Sequence, residues 1–273
     1  MSLTTSHFTS RLRGEGLLVL WGSVDLAITN DNDLNDWWTN EHLPERLRLP
    51  GFERARRYRA IPDENGHHEY LALYEALKVE NFASVEYLNA LNNPTPRTKQ
   101  FMPCLAGMAR CACRILLSKQ SLVEPSHPSD HGCKYLMLMI LHTLRPSEEI
   151  WESLDSIVNE QLFSKEHFSS IKVTYVHVGD EDEIITKVGS SSRSYDGVQF
   201  TRRHESNKGQ PLRKLILLSE LCIPNIPKTG MMDILHSEWL EVLMKDLEKT
   251  GIEVGYRNVF QLIYSLDKSD IDG

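Results

Sequence analysis

The order of apolar stretches along the chain constrains its fold more than any other feature of the sequence. Across residues 15–118 the hydrophobic periodicities predict strand, helix, strand, strand, helix and strand, and residues 134–268 show the same order again. This is the split βαβ, or ferredoxin-like, arrangement. One sheet of this kind has an apolar face that its own helices do not cover. The sequence therefore predicts an α+β chain of two tandem ferredoxin-like (βαββαβ) repeats that pack on each other.

The predicted elements have clear bounds. The strands are predicted at residues 16–22, 52–61, 69–77, 108–116, 134–143, 171–178, 215–223 and 254–266. The helices are predicted at 33–47, 81–91, 146–161 and 231–249. Since the first strand is almost continuously apolar, we expect both of its faces to be covered.

Polar, turn-rich segments separate these elements. Residues 1–14 are predicted to form an N-terminal arm, and residues 119–133, rich in Ser, Pro and His, to link the repeats. Residues 179–214 interrupt the second repeat and contain many charged and small residues. We expect this insert to be a loop excursion.

Composition limits the partners and the compartment. The net charge of −8 argues against nucleic acid or an anionic membrane as the main partner. The chain has five cysteines but no Cys-x-x-Cys pair, which predicts a reduced, cytoplasmic protein with buried thiols. Cys111 and Cys113 are expected on opposite faces of one strand. We find no signal peptide pattern and no apolar run long enough to cross a bilayer.

A run of basic residues occupies positions 54–59 of the second predicted strand. Alternation places Arg54 and Arg56 on one face with Tyr58, and Arg57 and Arg59 on the other. The simplest interpretation is a solvated strand face. Capture of an acidic substrate is the alternative.

The helix predicted at residues 33–47 carries the densest set of functional groups. Asp33 is a plausible N-cap, and Pro44 should break or tighten the last turn. His42 therefore lies near a helix end beside tryptophan surface, where an imidazole can transfer protons. A capping or core histidine is the structural alternative.

The same segment resembles a known family. The patterns W-x-x-E-H-x-P-E-R at 38–46 and P-G-F at 50–52 are similar to those of EthD-like proteins of the dimeric α+β barrel superfamily, in particular fungal members. The resemblance is best across residues 16–117. It implies a dimeric α+β barrel, here formed within one chain by the tandem repeats, and a pocket lined by polar residues of this helix.

Three residues are candidates for catalysis. His42 is the candidate acid or base, and Tyr58 or Tyr74 could donate to a carbonyl or phenol oxygen. Ordinary core tyrosines are the alternative. The second repeat has Gln161 at the position of His42, which suggests a single working site in the first repeat.

Four further residues are candidates for binding a substrate. Trp38 and Trp21 could line the cavity, Arg46 could hold a carboxylate or enolate, and Glu75 ends a hairpin strand that faces the same region. Packing roles for the tryptophans and a surface position for Arg46 are the alternatives. Glu75 has a counterpart in Glu220 of the second repeat.

The family resemblance implies a small cofactor-independent enzyme of secondary metabolism. The first hypothesis is a lyase-type enzyme (decarboxylase, dehydratase or cyclase) for an aromatic or polyketide-derived intermediate. The alternatives are a cofactor-free monooxygenase of the same fold and a non-catalytic small-molecule-binding barrel. No nucleotide or metal motif is present, so we expect no cofactor and no metal. We expect either a monomer, in which the two repeats of one chain form a pseudo-dimer, or a homodimer.

Overall fold

A computed structural model describes residues 11–27, 29–60, 69–105, 107–121, 134–145, 147–163, 171–190, 212–223, 235 and 237–271. The chain forms two compact units. The first unit contains residues 13–115, 181–202 and 262–273, and the second contains 1–12, 116–180 and 203–261. Most of the predicted N-terminal arm, of the predicted linker and of the predicted insert lies outside the described residues.

Eight strands lie where the sequence predicts them. They are β1 (Gly16–Ser23), β2 (Phe52–Ala60), β3 (Glu69–Ala76), β4 (Gly107–Gln120), β5 (Tyr135–Thr143), β6 (Lys172–Glu181), β7 (Arg213–Cys222) and β8 (Ile252–Asp267). The helices are α1 (Asp31–Trp37), α2 (Leu43–Leu47), α3 (Val85–Asn92), α4 (Pro96–Phe101), α5 (Ser147–Ile157), α6 (Glu183–Ser190) and α7 (Glu238–Lys249). The α+β class is confirmed.

Shorter helical turns join some of these elements. Two are π-helical, Trp38–His42 and Val158–Leu162, and three are 3₁₀-helical, Val79–Ala83, Met102–Leu105 and Lys268–Asp270. The helices α4 and α6 were not predicted. The expectation of a loop throughout the insert is wrong for α6, whose N-terminus is capped when Asp182 accepts a hydrogen bond from the Ile185 N–H at 3.1 Å.

The strands of each unit pair in an antiparallel way. In the first unit the hydrogen-bonded order is β4-β1-β3-β2, with Trp21 of β1 opposite Leu71 of β3 and Ala109 of β4. In the second unit the order is β8-β5-β7-β6.

One face of the first unit's sheet packs against the helices. Leu18, Leu20 and Tyr74 lie on this face and belong to one hydrophobic cluster with residues of α1, α2 and α3. Side chains alternate along a strand, so the neighbours of these residues lie on the other face. β1 is buried on both faces from Gly16 to Trp21, as its continuous apolar sequence predicts.

Arg54, Arg56 and Arg57 of the basic run on β2 are buried and Arg59 is half-buried, so the expectation of a solvated strand face is wrong. Glu75 of β3 accepts hydrogen bonds from Arg54 Nε at 3.0 Å and Arg54 Nη2 at 2.9 Å, and from Arg56 Nε at 2.9 Å. The Arg13 N–H donates to the same carboxylate at 2.7 Å. Burial raises the pKa of the Glu75 carboxyl, but Arg56 and Arg54 outweigh burial and lower it. The alternation of β2 does hold, because Arg57 lies on the opposite face, against the helices.

The cysteines described by the structure are buried, as expected. The expectation that Cys111 and Cys113 point to opposite faces is wrong. Residues two apart in a strand share a face, and the two Sγ atoms are 3.3 Å apart.

The Arg54–Glu75–Arg56 cluster should contribute strongly to folding. We expect Glu75→Gln to lower the free energy of unfolding by roughly 3–5 kcal/mol, because it removes the carboxylate charge that two buried guanidinium groups share. Chemical denaturation near neutral pH measures this loss. Glu80→Gln is the matched control, since Glu80 pairs with Arg114 at 2.7 Å on the surface and an exposed pair contributes about 0–1 kcal/mol. Equal losses in the two proteins would contradict the prediction.

Candidate functional site

The helix that carries the predicted site is interrupted in its middle. Asn30 rather than Asp33 is the N-cap, since the Asn30 side chain accepts from the Asp33 N–H at 2.9 Å. Pro44 has no N–H to donate to the preceding turn. The Leu43 N–H bonds to the carbonyl of Trp38, five residues back, which widens the turn into a π-helical one. The regular helix is thus interrupted before Pro44, as expected, but the turn is widened and not tightened.

The widened turn and the start of α2 present three side chains to one cavity. Trp38, His42 and Arg46 line it together with Tyr74 of β3. The remaining lining residues are Leu18, Leu20, Tyr87, Met102 and Leu105. The cavity has a volume of about 10 Å³, roughly the room for one water molecule. The cavity is thus small, largely apolar, and polar at one end.

His42 is buried at the polar end of the cavity. Its ring lies 4.8 Å from the Trp37 ring and 6.5 Å from the Tyr74 ring, measured between centroids. Burial, then the positive charges of Arg46 and Arg57, hold the pKa of His42 well below its usual 6.5. The imidazole is therefore neutral near pH 7, and its Nδ1 atom has no hydrogen-bond partner among the described residues. A neutral imidazole with an unused nitrogen can accept a proton.

Arg46 is buried beside His42 and is 2% exposed. Neither its Nη1 nor its Nη2 atom has a hydrogen-bond partner among the described residues. The Glu45 Oε2 atom is 3.8 Å from Arg46 Nη2 and 3.9 Å from His42 Nδ1. Both separations exceed a hydrogen bond, so Glu45 acts on the two groups through its charge.

Tyr74 supplies a hydroxyl group to the same cavity. The Trp38 Nε1–H donates to this hydroxyl at 3.3 Å, so the Tyr74 proton is available to another acceptor. Burial raises the pKa of Tyr74 to about 12, which keeps it protonated at neutral pH. Tyr74 can therefore donate a hydrogen bond to a ligand oxygen.

The structure does not bring all the predicted residues to this cavity. Trp21, Tyr58 and Glu75 are buried but lie outside its lining, since strand alternation directs them to the sheet face opposite Tyr74. Glu75 is already occupied by Arg54 and Arg56. The prediction that these residues act at one site with His42 has no support from their positions.

Arg57 supports the cavity from behind and was not predicted as a site residue. Its guanidinium carbon lies 4.3 Å from the centre of the Trp38 ring. It donates to Thr39 Oγ1 and to Asn35 Oδ1, each at 2.7 Å. Burial lowers the pKa of Arg57 to about 10, so it remains charged at neutral pH. Strand alternation placed Arg57 on the face opposite Arg54 and Arg56, but neither the helix cover of that face nor the burial of Arg57 could be read from the charged sequence.

Glu41 and Trp37 have structural contacts. Glu41 accepts from the Thr95 hydroxyl at 2.6 Å and pairs with Arg97 at 3.4 Å. The Trp37 Nε1–H donates to Thr98 Oγ1 at 3.3 Å. Both side chains attach the interrupted helix to α4, which makes α4 part of the support of the site.

The second half of the chain has the same π-helical turn without the histidine. The Phe163 N–H bonds to the carbonyl of Val158, again five residues back. Gln161 of this turn donates to Asp246 Oδ2 at 2.8 Å. The corresponding position therefore makes a structural hydrogen bond.

Neither a metal-ligand cluster nor a membrane-spanning helix is found in the described part of the chain. No group of three or more His, Cys, Asp or Glu side chains there is arranged to hold a metal ion. No described helix is both long and apolar enough to span a bilayer.

Comparison with known proteins identifies a fold. No family model matches the sequence, and no curated protein matches it. The structure of an anthrone oxidase-like protein covers 94% of this chain and 94% of its own, at 10% identity and a TM-score of 0.53. A candidate monooxygenase from Fusobacterium nucleatum covers 94% of this chain and 98% of its own, at 10% identity and a TM-score of 0.44. A candidate chlorite dismutase covers 95% and 98%, at 11% identity and a TM-score of 0.44.

The likeness to the anthrone oxidase-like protein shows that the two proteins share a fold. At 10% identity it shows nothing of activity. The more specific assignment to the EthD-like family stays a prediction.

The pH dependence of stability should report the environment of His42. Below about pH 6.5 the unfolded chain binds a proton that folded His42 rejects, so the folded state loses stability as the pH falls. His42→Gln, which introduces the residue of the second half, should lack this component. We expect the wild type to lose up to roughly 1.4 kcal/mol per pH unit more than the variant below that pH. Urea unfolding of both proteins between about pH 7.5 and pH 5 measures this, and parallel curves would contradict it.

Proposed function

We propose that this protein is a cofactor-independent, lyase-type enzyme for an enolisable aromatic or polyketide-derived intermediate. The observation that carries the proposal is a buried, neutral His42 that borders the same cavity as the Tyr74 hydroxyl. A general base and a hydrogen-bond donor in a small, largely apolar cavity are sufficient for proton abstraction next to a carbonyl.

In the proposed reaction His42 takes a proton from the carbon beside a carbonyl group. The electron pair of that C–H bond moves toward the carbonyl oxygen, and Tyr74 donates a hydrogen bond to this oxygen as its charge grows. Protonated His42 then gives the proton to a departing hydroxyl, which leaves as water, or to the oxygen of a carbonyl that the carbanion attacks in ring closure. Dehydratase and cyclase chemistry share this enolate, and decarboxylation of a β-keto acid reaches it from carboxylate loss.

The size of the cavity limits how a substrate can enter. Pockets that bind drug-sized ligands measure about 300–1,000 Å³, whereas this cavity has about 10 Å³. A ring-sized substrate therefore requires wall side chains to move. Met102 is the most adaptable of them, because its unbranched side chain has three rotatable bonds.

The alternative of a cofactor-free monooxygenase has one observation in its favour. The fold is shared with a protein described as anthrone oxidase-like. An enolate formed by His42 is electron-rich enough to be the species that dioxygen oxidises. Dioxygen consumption separates this reaction from the lyase chemistry.

We also propose that each half of the chain is one ferredoxin-like repeat. The strand orders β4-β1-β3-β2 and β8-β5-β7-β6 are equivalent, and a π-helical turn follows the first helix of each half. The EthD-like assignment, the monomeric pseudo-dimer or homodimer, and cytoplasmic residence belong to the same proposal.

Proton exchange tests the function without full turnover. A panel of aromatic β-diketones and polyketide-like β-keto acids is incubated with the enzyme in D₂O, and NMR follows loss of the proton next to the carbonyl. We expect His42→Gln to slow enzyme-dependent exchange by roughly 10²–10⁴-fold. Glu41→Gln is the control, since Glu41 lies on the same turn but contacts Thr95. An oxygen electrode run in parallel distinguishes the monooxygenase.

Exchange that persists in His42→Gln at the wild-type rate would exclude His42 as the base. Absence of exchange with every compound, combined with unchanged ligand binding in His42→Gln, would favour the non-catalytic binding barrel.

A further inference from the structure

We infer that Arg46 is the binding site for one planar oxyanion, a carboxylate or enolate group of the ligand, at the polar end of the cavity. This inference deepens the proposed function and rests on it for the identity of the site. It names the chemical class of the substrate: a monoanion, or a carbonyl compound that becomes one during the reaction.

The first argument is the contrast among the buried arginines of the first unit. Arg54 and Arg56 donate to Glu75 at 2.9–3.0 Å, and Arg57 donates to Thr39 at 2.7 Å. The Nη1 and Nη2 atoms of Arg46 are equally buried but have no acceptor among the described residues. An arginine needed only for packing would leave a charge and several N–H groups unsatisfied, which costs several kcal/mol.

The second argument is the position of the unsatisfied atoms. Arg46 lines the cavity, and its guanidinium carbon lies 5.9 Å from the centre of the Tyr87 ring, which also lines it. The planar fork of a guanidinium group matches the two oxygens of a carboxylate. The Glu45 carboxylate lies 3.8 Å away and accepts no hydrogen bond from this fork, so an oxyanion that accepts from both nitrogens is a better ligand than a neutral group.

The third argument concerns the sign and number of charges. His42 is neutral, Glu45 is the nearby anion at 3.8 Å from Arg46, and Arg57 lies behind the Trp38 ring. The sum of these charges is +1, which one monoanion balances. A dianion would face the uncompensated repulsion of Glu45. Room for about one water molecule further restricts the resting site to the oxyanion end of a substrate.

An anion bound to Arg46 would also change the basicity of His42. The groups that face His42 are Arg46, Glu45 and Tyr74, with Arg57 behind Trp38, and the two positive charges favour the neutral imidazole. An anion on Arg46 offsets part of that charge, so it should make His42 more basic. The ligand would then prepare its own proton acceptor.

Small anions test the site without any knowledge of the substrate. Calorimetric titration at constant ionic strength compares sodium formate and acetate with formamide and acetamide, their neutral analogues of similar shape. We expect the two anions to bind the wild type at least roughly 10-fold more tightly than the amides. Sulfate, a dianion, should bind more weakly than formate.

Two variants locate the binding. Arg46→Met keeps the length of the side chain and should weaken formate binding at least 10-fold. Arg114→Met is the control, because Arg114 is 46% exposed and pairs with Glu80 on the surface. Formate affinity within twofold of the wild type in Arg46→Met would overturn the inference. If that variant does not fold, equal binding of formate and formamide by the wild type would overturn it.

A second readout separates this inference from the proposed function. NMR of the His42 ring should show a higher pKa with saturating formate in the wild type and no such rise in Arg46→Met. His42→Gln should keep its formate binding and lose proton exchange. If formate binds through Arg46 but His42→Gln leaves proton exchange unchanged, the oxyanion site stands and the catalytic role of His42 is rejected. If His42→Gln abolishes exchange but formate does not bind through Arg46, only the oxyanion site is rejected.

Discussion

The interruption of one helical hydrogen-bond ladder is the constraint on which the site depends. The Leu43 N–H reaches back five residues to the carbonyl of Trp38, and the wider turn that it closes connects α1 to α2. Trp38, His42 and Arg46 then border a single cavity. Pro44 contributes by removing one donor, but Phe163 bonds to Val158 in the same way with no proline in its turn. The turn is therefore stabilised by packing against the sheet as well as by the proline.

The two faces of the first unit's sheet carry polar residues with different roles, stabilising the fold on one face and lining the cavity on the other. Glu75 lies on one face and satisfies Arg54 and Arg56. Tyr74, its neighbour in sequence, lies on the other face and contributes its hydroxyl to the cavity. Because side chains alternate along a strand, adjacent residues cannot both serve the same site. The buried cluster around Glu75 belongs to the fold, whereas the polar end of the cavity belongs to the proposed chemistry.

The charges in the cavity indicate that its polar residues bind a ligand and do not only stabilise the fold. Burial without compensating hydrogen bonds leaves Arg46 charged and His42 neutral within one small space. Buried polar groups in folded proteins are nearly always hydrogen-bonded, so a buried guanidinium group without an acceptor among the described residues indicates a binding role.

Sequence patterns predicted much of the fold for clear physical reasons. Strand periodicity and apolar runs located all eight described strands, because each strand buries at least one face. Helix α4 was missed because six residues, Pro96–Phe101, are too few for a periodic signal. The burial of Arg54, Arg56 and Arg57 was missed because charged residues are rarely buried unless paired, and their partners come from other elements.

The sequence by itself determined the strand order along the chain, the α+β class and the position of His42 at an irregular helix end. These follow from local periodicity and from the chemistry of proline. Only the tertiary structure decided which candidates meet: it joined Tyr74, Arg46 and Trp38 to His42 and separated Tyr58, Trp21 and Glu75 from them. The reason is that cavity walls come from elements far apart in sequence, and which residues face each other depends on strand register and helix packing.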